Sequence, residues 1–280
     1  MALPAAYLLV VAELVNEGVS RLAAPALRPF IERYRGYRLS GFPAGIHKGM
    51  PSRHMAFMFS FDQPLETATG GSYWAFVGGL HTRAVDIVHD GTEHGIAVQL
   101  TPLGARTAFG LPAGALAGTV AHLDELLGPA ATELYDRLAA ATDWGRRFNI
   151  LDEVLLRHAA QVDDPAGTAP EVVRAWQQLV STGGRIRVND LAAEVGWSRR
   201  HLSERFRAEI GLTPKEAARV VRFERARNLL SLPTRPGLAA VAAECGYADQ
   251  AHFTREFGEV VGLSPTRWIA NELPFMQDGE

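Results

Sequence analysis

Two short segments place arginine, amide and hydroxyl side chains at a spacing suited to contact with the edges of stacked bases. In Arg199–Arg207 (RRHLSERFR), a helix that buries Leu202 and Phe206 turns Arg200, Glu204 and Arg207 to the opposite side, with Ser203 alongside. Fifty-one residues further on, Phe253 and Phe257 repeat the buried pair. The matching outward face there carries Ala251 and Arg255, flanked by Gln250 and Thr254. Arginine can bond guanine in bidentate fashion, glutamine can read adenine, glutamate can accept from cytosine, and small residues can meet the thymine methyl. The competing reading of Arg199, Arg200, Arg205 and Arg207 is a solvated helix face, and composition alone favours it. The elements around these residues decide between the two.

Those elements occur twice. Val188, Leu191, Ala192 and Val195 are apolar at i, i+3, i+4 and i+7, and Gly196 follows. Leu238, Val241, Ala242 and Cys245 repeat the spacing, and Gly246 follows. Each set describes a short helix with one buried stripe, stopped by a glycine free to take a left-handed turn. Ser198 and Asp249 then stand as N-caps of the second helix in each copy. Both copies close alike, on Gly211-Leu212-Thr213-Pro214 and Gly262-Leu263-Ser264-Pro265, a hydroxyl N-cap before proline at the first helical position. Helix, short turn and helix make a helix-turn-helix, whose second helix enters the major groove.

Between the copies, Pro214–Leu230 reads as one connecting helix with Val220, Val221, Leu229 and Leu230 inward. Arg219, Arg222, Arg225 and Arg227 on it are expected to remain available to phosphate, and Arg199 joins Arg219, Arg222 and Arg225 as the candidate phosphate contacts. A helix of this length spans about 25 Å, compatible with recognition helices about one DNA turn apart.

Charge is distributed to match. The net charge of −3 gives no sign of a nucleic-acid binder, but residues 171–235 hold 13 basic against 7 acidic side chains. Residues 236–280 hold 2 against 7, and residues 1–170 are also acidic on balance. Attraction to phosphate must therefore be local to the first unit and the connecting helix.

Residues from about 171 to 271 resemble the DNA-binding domain of the AraC/XylS family of bacterial regulators. The resemblance rests on Val188–Phe206 (VNDLAAEVGWSRRHLSERF), Gly211–Pro214, the helix Pro214–Leu230, and Leu238–Pro265 with Ala242–Tyr247 and Phe253–Phe257. It implies an all-helical domain of two helix-turn-helix units joined by a long helix. It also implies transcriptional regulation, most often activation, with double-stranded DNA and RNA polymerase as partners. Ser203 and Glu204 leave the first recognition helix with a mixed face, so its base preference stays open.

The N-terminal part has a different texture. A 280-residue chain that is 47% hydrophobic accommodates about two domains. Met55–Phe61, Tyr73–Val77 and Gly95–Leu100 are short aromatic or β-branched runs that suggest a small, mostly antiparallel sheet. From Thr119 the pattern turns helical, at Val120–Leu127, Ala130–Ala140 and Arg146–Ala160. Leu27–Ile31, Tyr34–Tyr37 and Leu100–Gly104 resemble parts of an N-terminal domain found in some relatives, which implies a β-rich sensor domain. Its effector, a small molecule or a protein, is unidentified and no effector-binding residue is assigned. Asp163–Pro170 (DDPAGTAP) is polar and Pro/Gly-bearing and is read as a linker. The expected organisation is α+β: a sensor domain over 1–162, the linker 163–170, an all-α DNA-binding domain over 171–272 and a tail over 273–280, with residues 171–280 folding and binding DNA alone. The helices of residues 120–160 either cover the sheet or support a homodimer.

Other chemistries are weaker. His47, His54, His81, His89 and His94, with Asp86, Asp90 or Glu93, could form a metal site, but no closely spaced ligand motif joins them. No metal, cofactor or catalytic residue is expected. A nucleophilic role for Cys245, as in DNA-repair acceptors, gives way to a small core residue on a buried stripe. Phe57, Phe59, Phe61, Tyr73, Trp74 and Phe76 fit a sheet core better than a ligand pocket. Leu8–Ala12 is too short to span a bilayer and no basic segment precedes it, so Tyr7–Val15 is read as a surface helix and the cytoplasm as the location. Met1–Ser20 suggest no function.

Overall fold

The computed structural model describes residues 14–160 and 167–271. Two antiparallel sheets build the N-terminal domain. The larger takes β1 (Val15–Leu22), β2 (Ile31–Ser40), β4 (Met55–Ser60), β7 (Ala75–Gly78), β9 (Glu93–Leu100) and β10 (Val120–His122), in the order β1-β2-β9-β4-β7-β10. The smaller takes β3 (Gly45–Gly49), β5 (Leu65–Thr67), β6 (Ser72–Tyr73) and β8 (Val85–His89), in the order β3-β8-β5-β6. Strict alternation explains β4: Met55, Phe57 and Phe59 point into the core while the residues between them are half-buried.

Three expectations are corrected. Val15 opens β1 and pairs with Ser40 instead of ending a helix; the rest of the expected helix up to residue 13 lies outside the described residues. Val120–His122 is strand, because Phe76–Gly78 offers an open edge whose ladder outweighs local helix propensity. The run Tyr73–Val77 breaks at Trp74, which is 46% exposed, and its halves join different sheets.

Helix α1 (Ala105–Phe109) lies between β9 and β10, and α2 (Leu123–Leu127), α3 (Pro129–Ala140) and α4 (Trp144–Ala159) follow β10. α4 lies over the larger sheet: Phe148 stacks on Tyr34 at 5.7 Å, and Asp152 accepts from the Tyr34 hydroxyl at 2.8 Å. Trp144 packs where a side chain on Gly36 would stand, so this glycine lets the helix approach. Covering the sheet is thus one role of these helices.

The C-terminal region is all helix: α5 (Pro170–Ser181), α6 (Val188–Glu194), α7 (Arg199–Ile210), α8 (Pro214–Leu230), α9 (Leu238–Glu244), α10 (Gln250–Val261) and α11 (Pro265–Asn271). The caps stand where the spacing puts them. Ser198 and Asp249 accept from the backbone amides of His201 and His252, and Thr213 with Glu216 forms a capping box at the start of α8. Gly196 and Gly246 take φ of 74° and 77° at the turns between the paired helices. Pro170, expected to end the linker, is already the first residue of α5, and residues 161–166 lie outside the described set.

The apolar core is divided unexpectedly. One continuous cluster runs from the larger sheet through α5, α6, α7 and the first half of α8, while the second helix-turn-helix has a separate core around Phe223, Phe253, Phe257 and Trp268. The first unit is therefore packed together with the N-terminal domain. At the junction a side chain on Gly114 would strike the Ala208 carbonyl, and Arg106 holds the largely buried Glu209 with two bonds of 2.9 Å. Arg106→Ala would leave the Glu209 carboxylate without its cation, and breaking such a pair is expected to cost about 2–3 kcal/mol, below the range for a fully buried one. Denaturant unfolding of the full chain checks this, with Glu209→Gln in the same background expected to recover part of the loss.

Candidate nucleic-acid interface

Local sequence makes each recognition helix two-faced. On α7, Leu202 and Phe206 are fully buried, whereas Arg200, Glu204 and Arg207 are exposed and Ser203 is half-buried. On α10, Phe253 and Phe257 are fully buried, Gln250, Ala251 and Arg255 are exposed, and Thr254 is half-buried. The eight candidate base-reading residues are thus accessible to different degrees, and the two faces are equivalent in the repeat. On the first face Arg200 Nε donates to Glu204 Oε1 at 2.9 Å, and that carboxylate raises the Arg200 pKa. Contact by either residue with a base requires this exposed pair to open, which is a small cost for a surface ion pair.

The connecting helix departs from expectation. Arg222 is mostly buried, bonds Glu256 of α10 at 2.9 and 3.1 Å, and lies 5.0 Å over the Tyr247 ring. Arg219 holds Glu259 at 2.8 Å and Arg225 holds Glu244 at 3.1 Å. These arginines, expected to be available to phosphate, are engaged by carboxylates of the second unit. The acidic second unit and basic first unit make the pairing physically natural: its carboxylates face α8. Arg227 donates to Asn228 at 3.2 Å. Arg199 remains exposed at the start of α7.

Between the units runs a groove of about 680 Å³, lined by the segment Gly184–Asn189, by Arg199, by Lys215, Arg219 and Arg222 of α8, and by His252 and Arg255 of α10. Sequence reasoning missed Arg185, Arg187, Lys215 and His252. A signal was present for Arg187, since it occupies the N-cap of α6 without a capping bond, at a position where serine, threonine or aspartate is preferred.

Elsewhere the chemistry-bearing residues have local partners. Burial pushes the Cys245 thiol up to about 11, as befits a core residue. His47 pairs with Glu93 at 3.1 Å, His54 with Glu32 at 2.8 Å and Glu224 at 3.8 Å, and His94 with Asp62 at 3.0 Å. His89 accepts from the Gly91 amide, burial lowers the His81 pKa, Asp86 pairs with Lys48, and Asp90 accepts from Gln63. Among the described residues no three of these groups are gathered so as to hold a metal ion. Phe57 and Phe59 are fully buried and Phe76 nearly so, as a sheet core requires, while Phe61 and Tyr73 are half-buried.

Two capped helical pairs on one connecting helix, each turning a polar face outward, define a double helix-turn-helix DNA-binding domain. Comparison with known proteins agrees: residues 191–271 match a helix-turn-helix domain, and residues 20–122 match a domain of unknown function (DUF6597). The HTH-type transcriptional activator RhaR of Klebsiella pneumoniae is 32% identical over 124 residues, 43% of this chain and 44% of that protein. The arabinose operon regulatory protein of Salmonella typhimurium is 28% identical over 157 residues, 52% of this chain and 56% of that protein. The chain thus matches about half the length of these relatives. ToxT from Vibrio cholerae superposes with a TM-score of 0.48 at 12% identity, over 86% of this chain and 98% of that one. The C-terminal region is a helix-turn-helix domain similar to those of these regulators.

Proposed function

We propose that the chain is a sequence-specific DNA-binding transcription regulator, more often activating than repressing, that answers an effector through its N-terminal domain. The observation that carries this reading is the pair of equivalent outward faces on α7 and α10 with a cation-lined groove between them. Arg200, Ser203, Glu204 and Arg207 serve the first major groove, and Gln250, Ala251, Thr254 and Arg255 the second. Arg199 contacts phosphate, whereas Arg219, Arg222 and Arg225 orient the two units.

An effector site is supported by a cavity of about 290 Å³ between the two sheets, where Tyr37, Met58 and Ile87 meet Lys48, His47 and Glu93. This size and mixed lining suit a small molecule. RNA polymerase is the partner such a regulator acts on, the cytoplasm is its place of action, and a homodimer is one arrangement on DNA. No helix among the described residues is long and apolar enough to cross a membrane. Catalysis has no part in the reading.

Gel-shift titration of the full chain at 50 and 200 mM salt tests it. Each phosphate contact would lower affinity by about 3.5-fold over this range, so a measurable loss with salt is the expected result. Absence of a shift at the lower salt would instead favour an interaction protein without DNA affinity.

A further inference from the structure

The inter-unit groove holds more cations than the two reading faces use. Arg187 and Arg199 come from the starts of α6 and α7, Lys215 from the first turn of α8, and Arg255 from α10. All four are exposed, and among the described residues none is paired with a carboxylate. The acids of the groove, Glu256 and Glu259, are already held by Arg222 and Arg219.

Arg187 is the member whose position the fold does not explain. It stands just ahead of α6, exposed on the wall of the groove and with no capping bond. Such a side chain is suited to an anion approaching from outside the protein. Two helices in successive major grooves on one face of a duplex leave the intervening minor groove turned toward the protein. The floor of this groove therefore meets the centre of the bound site.

We propose that the inter-unit groove receives the minor groove at the centre of the operator, with Arg187 entering it. The chain thereby selects a narrow, A·T-rich central segment in addition to the sequences at either side. A narrow minor groove concentrates negative potential and attracts arginine, whereas the guanine N2 amino group projects into that groove. The proposal rests on the two-unit DNA-binding reading above.

The test uses the full chain and a duplex obtained by in vitro selection, its outer positions fixed and its central base pairs made A·T, G·C or inosine·C. Inosine·C keeps the major-groove pattern of G·C but lacks the minor-groove amino group. Changing A·T to G·C should weaken binding about tenfold and inosine·C should restore most of it, while Arg187→Ala brings the three duplexes within about twofold. The preference at the outer positions should survive Arg187→Ala, and an exposed side chain without bonds can be removed without unfolding the chain. Equal affinity of the unaltered chain for all three centres would overturn the proposal. So would an equal loss on all three with Arg187→Ala, which marks a phosphate contact only. If selection yields no bound duplex, the DNA-binding reading fails and the proposal falls with it.

Discussion

Phe257→Ala is expected to lower stability by about 3–5 kcal/mol, the usual cost of removing a fully buried aromatic ring. The ring is completely buried and lies 5.2 Å from Phe223, 5.7 Å from Phe253 and 5.6 Å from Trp268, so it joins α8, α10 and α11. These rings form the core of the second unit, which is separate from the cluster shared by the first unit and the larger sheet. Loss should thus fall on the second unit first, seen in hydrogen exchange as faster opening of α9–α11 before the sheets. Phe206→Ala removes an equally buried ring, but from the shared cluster, and should open α7 together with the N-terminal domain. A loss below about 1 kcal/mol for either variant would be that of an exposed position, and would mean that the helix faces are reversed.

The second large effect separates two arginines that look alike in sequence. Arg222→Ala deprives the buried Glu256 of its nearest cation, leaving it with Arg219 at 3.5 Å and His252 at 3.6 Å, and should cost about 2–4 kcal/mol of stability. Arg255→Ala touches no ion pair among the described residues and should leave the melt unchanged. It should cost about 1–3 kcal/mol of binding on the best site and relax preference at one or two base pairs. Melts and titrations on matched and scrambled duplexes check both. Equal loss for Arg255→Ala on the two duplexes would remove that residue from base reading, and an unchanged melt for Arg222→Ala would return it to the phosphate contacts.

What could be read from the residues in advance was what depends on short spacing. Ser198, Asp249, Gly196 and Gly246 each act within one turn of their own position, and the bounds of α8 coincide with the run Pro214–Leu230. The burial of Leu202, Phe206, Phe253 and Phe257 likewise follows from one helical period. The ion pairs of the α8 arginines are not legible in the sequence, because their carboxylate partners are 19 to 40 residues away, on elements whose approach only tertiary packing sets. Strand β2 (IERYRGYRLS) was not foreseen as one, since Glu32, Arg33, Arg35 and Arg38 obscure the buried Ile31 and Tyr34. The bond between Arg106 and Glu209 bridges 103 residues and carries no local signal at all. It joins the first unit to the domain that the polar linker seemed to set apart.

Hydroxyl-radical footprinting of the full chain on its best selected duplex tests most directly whether both units engage DNA together. Two protected blocks on one face of the helix, about one turn or 10 base pairs apart, are the expected result. Arg255→Ala should weaken only the block under the second unit. A single block, unchanged by Arg255→Ala, would contradict binding by both units.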